Sequence, residues 1–127
     1  MHSVRRFPGV AGLYTALIVD DDPLVLEVVA QILREPGFNV VTARDGYEAI
    51  RILADRHIDL MITDIMMPGL DGVQLGVQAK LMRPRLHIIY VTAFIDAAKG
   101  AQYGKVIEKP VRAAHLVEII QRTMTSS

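Results

Sequence analysis

The stretch TALIVDDDPLVLEVVAQILRE (residues 15–35) decides how this chain is built. Its first five residues are short, apolar and largely β-branched, the pattern of a buried strand. Asp22 is placed to cap a helix, because its carboxylate can accept from backbone N–H groups that lack intrahelical partners. Pro23 suits the first helical position, where no N–H is required. Leu24, Val25, Val28, Val29, Ile32 and Leu33 recur at helical spacing and predict one apolar face. A strand passing through a turn into a helix is the first half of a βαβ unit. Asp20 and Asp21 occupy that turn, and capping alone does not account for them.

The alternation continues along the chain. PG (36–37) stops the first helix, and FNVVTA (38–43) reads as a second strand. DGYEAIRILADR (45–56) is a second helix, with Asp45 and Glu48 at capping-box spacing and Ala49, Ile50, Leu53 and Ala54 on one face. DLMIT (59–63) is a third strand ending at Asp64, and IMMPGLDG (65–72) is a loop whose Asp71 can cap GVQLGVQAKLM (72–82). LHIIYV (86–91) is a fourth strand ending at Thr92, VIEKP (106–110) a fifth, and RAAHLVEIIQRTM (112–124) a final amphipathic helix. Such alternation predicts right-handed crossovers and a parallel sheet covered on both faces. The expected fold is α/β, a doubly wound five-stranded parallel sheet in the flavodoxin-like order 2-1-3-4-5. Residues 93–105 leave room for only a shortened or irregular fourth helix, and Gly100 and Gly104 strengthen that expectation. Residues 14–124 form one expected domain behind an N-terminal extension, 1–13.

Bulk properties narrow the function. A chain of 127 residues suits one domain. Its 14 basic and 14 acidic residues balance to a net charge of +0, which gives no electrostatic case for nucleic acid or a membrane surface as partner. With no cysteine, disulfides and thiolate metal sites are excluded. The apolar run after Arg5 and Arg6 is broken by Pro8, Gly9 and Gly12, and no small-residue cleavage site precedes the acids, so it is not read as a secretion signal. No apolar stretch reaches the about 18–20 residues of a membrane span, and a cytoplasmic location is expected.

Ligands of open parallel sheets bind at the carboxyl ends of the strands. Those ends carry Asp20 and Asp21, Asp64, Thr92 and Lys109. Converging carboxylates raise each other's pKa, and a hard divalent cation removes the conflict. Asp21 and Asp64 are the leading Mg²⁺ ligands, with Asp20 direct or through water and the Met66 backbone carbonyl as a further oxygen. Lys109 adds a cation and Thr92 a hydroxyl, completing a cradle for a phosphoryl group. Phosphoryl transfer needs mainly positioning and charge neutralisation, which casts Asp64 as the nucleophile.

Four separated motifs, LIVDDD (17–22), LMITDIMMPGLDG (60–72), IIYVTA (88–93) and EKP (108–110), resemble a response-regulator receiver domain of the CheY-like kind over residues 14–124. The resemblance implies a two-component phosphorelay in which a histidine kinase or histidine phosphotransfer protein phosphorylates Asp64 with Mg²⁺. It further implies a switch in binding to a downstream protein, an open question of homodimerisation, and a cis Lys109–Pro110 bond. It implies no turnover enzyme, only self-catalysed transfer to Asp64 and slow dephosphorylation. Two positions depart from the family. Val106 stands where an aromatic residue usually couples to the threonine, and Tyr103 is expected on the opposite face of a regular strand. The Thr92–Lys109 interval is also short. Met66 and Phe94, each two residues past a site residue, cannot orient an attacking water, so a long-lived phosphoryl group is expected.

Plainer readings apply elsewhere. Asp22, Asp45 and Asp71 are read as caps, and His57, His87 and His115 lack metal-ligand spacing. No GxxxxGK[ST] or GxGxxG loop is present, and Met66 occupies the position where a haloacid-dehalogenase-type phosphatase would carry a second aspartate. A phosphorylation-independent interaction module on the same fold is the remaining alternative.

Overall fold

The computed structural model describes residues 14–125. The expected extension 1–13, with Arg5 and Arg6, lies outside the described residues. Five strands, β1 (Thr15–Val19), β2 (Asn39–Ala43), β3 (Leu60–Asp64), β4 (His87–Thr92) and β5 (Gly104–Glu108), pair in parallel in the order β2-β1-β3-β4-β5. Four α-helices connect or follow them: α1 (Pro23–Arg34), α2 (Gly46–Asp55), α3 (Gly72–Met82) and α4 (Ala113–Thr125). Between β4 and β5 stands only a 3-10 turn, Ile95–Ala98, the short fourth element that the interval demanded.

Alternation along the strands builds two cores. Ala16, Ile18, Leu60, Ile62, Ile89, Val91 and Ile107 face one way and pack with α1 and α4. Leu17, Val19, Met61, Ile88 and Tyr90 face the other and pack with α2 and α3. Burial on both sides explains why β1, β3 and β4 are near-continuous apolar runs.

The helix starts are as the sequence implies, with one refinement. Asp22 accepts from Leu24 N–H, and Asp71 and Gln74 form a reciprocal capping box. Asp45 accepts from Glu48 N–H at 2.8 Å, but the Glu48 carboxylate reaches Arg44 N–H instead of closing the box on Asp45. The apolar face of α1 needs correction. Its buried stripe is Leu26, Val29, Ala30 and Leu33, whereas Leu24 and Val28 are 76% and 55% exposed. The spacing 26, 29, 30, 33 is itself a regular helical stripe, so the helix is rotated from the expected face and leaves two apolar side chains in solvent. On α2, Ala49 and Leu53 are buried as expected, but Ala54 is exposed.

β5 begins at Gly104, two residues before the expected start, and ends before Lys109. Its first residue has to be glycine for steric reasons, since a Cβ there would lie 1.7 Å from the Ile88 carbonyl oxygen. Tyr103 therefore precedes the strand, and the expectation that it lies on a strand face is corrected. The Lys109–Pro110 bond is cis.

Candidate functional site

Parallel strands end together, so the residues that follow them gather at one edge. Backbone bonds extend this convergence beyond the strands: Asp20 N–H donates to Ala43 O, Ile65 N–H to Val91 O, and Lys109 N–H to Thr92 O at 2.7 Å. Asp20 and Asp64 are almost fully buried, and Asp21 is exposed at the rim. One carboxylate oxygen from each lies within 4.8 Å of the others. Lys109 Nζ stands 3.1 Å from Asp20 Oδ2 and 3.3 Å from Asp64 Oδ1. The other oxygen of Asp20 accepts from Asp22 N–H at 2.9 Å, which fixes the carboxylate at the start of α1.

Electrostatics reflect this crowding. Burial, with the charge of Asp20 and less so Asp21, raises the Asp64 carboxyl above its ordinary value of 3.8, and Lys109 only partly opposes them. Burial works against the Lys109 ammonium, yet Asp20 and Asp64 outweigh it and raise its pKa. Three acids against one ammonium leave an unbalanced negative charge at the mouth of the cleft. The all-oxygen donor set and the exposed Asp21 fit a hard divalent cation such as Mg²⁺. Met66, expected to add its backbone carbonyl, lies in the loop after β3 with an exposed side chain.

Thr92 is fully buried at the end of β4, but its hydroxyl is engaged away from the acids. It donates to Phe94 O and accepts from Phe94 N–H, each at 3.1 Å. The acids and Lys109 thus form the assembled part of the site, and Thr92 is its uncommitted neighbour only after giving up Phe94.

Reading the sequence for chemistry missed Gly72. A Cβ there would lie 2.2 Å from Asp64 O and 2.7 Å from Ile65 Cα, and Gly72 N–H donates to Ile65 O at 2.8 Å. The glycine lets α3 start directly against the backbone that carries Asp64. Its signal was the DG pair opening a helix, which reads first as a cap and a turn. Gly69, with φ +77°, makes the loop turn before it.

Other polar groups do not join the site. A cleft of about 550 Å³ at the opposite end of the sheet is lined by His57, Arg83, Arg85 and His87, among others. In this cleft Arg83 donates twice to Leu53 O, and Lys80 Nζ, beside it, donates to Leu86 O at 2.7 Å. His57 pairs with Asp59 at 2.7 Å, and Asp59 also accepts from Thr15 N–H. His115 is exposed on α4. No helix among the described residues is long and apolar enough to cross a membrane.

Comparison with known proteins agrees with this geometry. The family described as "Response regulator receiver domain" matches residues 16–121. The transcriptional regulatory protein GlrR of Escherichia coli K12 is 34% identical over 116 residues, covering 87% of this chain and 26% of the regulator. The chain thus spans about a quarter of that relative's length. A CheY-like receiver domain protein from Methanospirillum hungatei superimposes with a TM-score of 0.82 at 29% identity, covering 89% of this chain and 94% of the other. The response regulator TrrA of Thermotoga maritima, solved with Mg²⁺ and BeF, gives a TM-score of 0.78 at 27% identity over 87% of this chain and 98% of its own. By sequence, strand order and structural likeness together, the chain belongs to the response regulator receiver domain family.

Proposed function

We propose that Asp64 accepts a phosphoryl group from a phosphohistidine on a histidine kinase or phosphotransfer protein. The observation that carries this reading is the meeting of Asp20, Asp21 and Asp64 against the single ammonium of Lys109. A free oxygen of Asp64 attacks phosphorus, the new O–P bond forms as the P–N bond breaks, and the imidazole leaves with the electron pair and is protonated from solvent. Lys109 follows the charge onto a phosphoryl oxygen. Thr92 exchanges Phe94 O for another phosphoryl oxygen. Asp20, Asp21, Asp64 and the Met66 carbonyl would hold Mg²⁺, which when bound neutralises the non-bridging oxygens.

A donor protein must bring its histidine to the rim of this cleft. Leu24 and Val28, the two exposed apolar residues of α1, line a groove of about 510 Å³ with Pro110 and Val111 directly beside Lys109. This groove supports docking of the phosphodonor on α1. The segment 93–105 supports the output to a downstream protein, because it is tethered to Thr92. A cytoplasmic place of action goes with this reading. The chain is an acceptor and not a turnover enzyme, and the apolar side chains of Met66 and Phe94 support slow loss of the phosphoryl group. A phosphorylation-independent module would have no need of three carboxylates held against one lysine.

The test is intact-protein mass after incubation with phosphoramidate and Mg²⁺. Wild type gains one phosphoryl group and Asp64→Asn gains none. Equal gain by the variant, or none by wild type, removes the proposal.

A further inference from the structure

The loop between β3 and α3 carries Met66 two residues past Asp64, and it has little backbone support of its own. It closes at its foot, where Gly72 N–H donates to Ile65 O at 2.8 Å. Among the described residues, no hydrogen bond reaches the backbone of residues 66–70. Packing therefore has to fix that stretch. Met67 and Leu70 turn into the core that also holds Ala43 and Ala49. The turn at Gly69, with φ +77°, stays outside it.

The β2–α2 turn covers this point. The ring of Tyr47 occupies the space that a side chain at position 69 would take. A Cβ on Gly69 would lie 3.1 Å from Tyr47 Cε2 and 3.9 Å from Cδ2 and Cζ. One residue earlier, a Cβ on Gly46 would lie 2.9 Å from both the carbonyl oxygen and the Cβ of Leu70. Two consecutive residues of α2 thus meet two consecutive residues of the loop. The same turn also touches the other half of the acidic site, because Ala43 O accepts from Asp20 N–H at 3.2 Å. It supplies none of the three converging acids, yet it abuts the backbone on both sides of them. Tyr47 itself is 57% exposed, so filling the core does not account for a ring at this position.

We propose that Tyr47 is a positioning residue for the acidic site: by covering the Gly69 turn it fixes where the Met66 carbonyl stands relative to Asp64. The role rests on the reading of Asp20, Asp21 and Asp64 as a cation and phosphoryl site. Tyr47 acts through packing alone, since the atoms nearest Gly69 are ring carbons. Phenylalanine therefore preserves the role and alanine removes it.

The experiment titrates Mg²⁺ into the full chain without a phosphodonor and follows backbone amides by NMR. In wild type the amides of Asp21, Asp64 and Met66 shift in one saturable step. Tyr47→Ala, a change at an exposed position that leaves the chain folded, raises the Mg²⁺ Kd by about threefold or more, less than the about 10–100-fold of a lost hydrogen bond to a metal ligand. Tyr47→Phe binds as wild type does, and so does Leu81→Ala, an equally exposed apolar truncation on α3. A metal-free readout accompanies this: the order parameter of the Gly69 amide falls from about 0.85 in wild type to below about 0.6 in Tyr47→Ala. A wild-type Kd in Tyr47→Ala overturns the positioning role and leaves the reading of the acids intact. Equal weakening in Tyr47→Phe assigns the effect to the hydroxyl and also overturns it. No saturable shift of Asp21 and Asp64 in wild type overturns both readings.

Discussion

Lys109 Nζ lies 3.1 Å from Asp20 Oδ2 although 89 positions separate the two residues and two strands, β3 and β4, stand between the strands that carry them. The long lysine stem spans the sheet edge and places its charge over Asp64 on the way. This one side chain offsets the mutual repulsion of three acids. Replacing it therefore exposes the repulsion.

Lys109→Met keeps the stem and removes the charge. Without divalent cation the variant loses about 1–3 kcal/mol, less than the about 3–5 kcal/mol of a fully buried broken pair, because the lysine is partly exposed. Mg²⁺ restores part of the loss, and adding Asp20→Asn restores part of it without metal. Urea unfolding with and without Mg²⁺ measures all three. An unchanged midpoint for Lys109→Met counts against the repulsion account.

Gly72→Ala forces a Cβ into the backbone of Asp64 and Ile65. Neither obstacle is a flexible side chain, so the start of α3 has to move. The expected cost is about 1–3 kcal/mol or more. Displacement of Asp64 also slows phosphoryl uptake by about tenfold or more. The uptake rate of the folded variant, measured below its unfolding temperature, separates the two effects.

Asp71→Ala removes the side-chain half of the capping box at the head of α3, the acceptor for Gln74 N–H, and leaves the backbone N–H of residue 71 donating to the Gln74 side chain. A loss of about 0.5–2 kcal/mol is expected, and Asp71→Asn loses much less because its side-chain oxygen can still accept. Chemical denaturation of the two variants compares them directly.

His87 gives a pH dependence away from the acidic site. Burial, with Lys80 nearby, lowers its pKa below the ordinary 6.5, and Asp59 opposes only weakly. The unfolded chain therefore binds a proton that the folded chain refuses over the window just below 6.5. Stability is full above that window and falls as pH drops through it. His87→Gln flattens this part of the profile. Parallel wild-type and variant profiles between about pH 7.5 and 5.5 would remove the assignment.

The order of elements and the identity of the chemical groups were legible because both follow local rules. TALIV, DDP and LDG state strand, cap and helix start by themselves, and parallel pairing then delivers Asp20, Asp21, Asp64, Thr92 and Lys109 to one edge. What was not legible depended on contacts between distant residues. The face of α1 was misjudged because Leu24 and Leu26 are equally apolar, and only the sheet decides which is covered. Gly72 read as turn chemistry, when its constraint is the Asp64 carbonyl packed against it. The direction of the Thr92 hydroxyl toward Phe94 has no signature in residue type at all.

The 3-10 turn Ile95–Ala98 has a consequence for how the molecule breathes. Among the described residues five strands go with four α-helices, and β5, the edge strand with one strand neighbour, has α4 toward one face and little beyond the turn toward the other. The central strands β1 and β3 are flanked on both edges and covered on both faces. Local opening starts where the fewest groups must separate. Amide protection therefore decreases from β3 through β4 to β5, and the edge that answers to Thr92 is also the part of the fold that opens first.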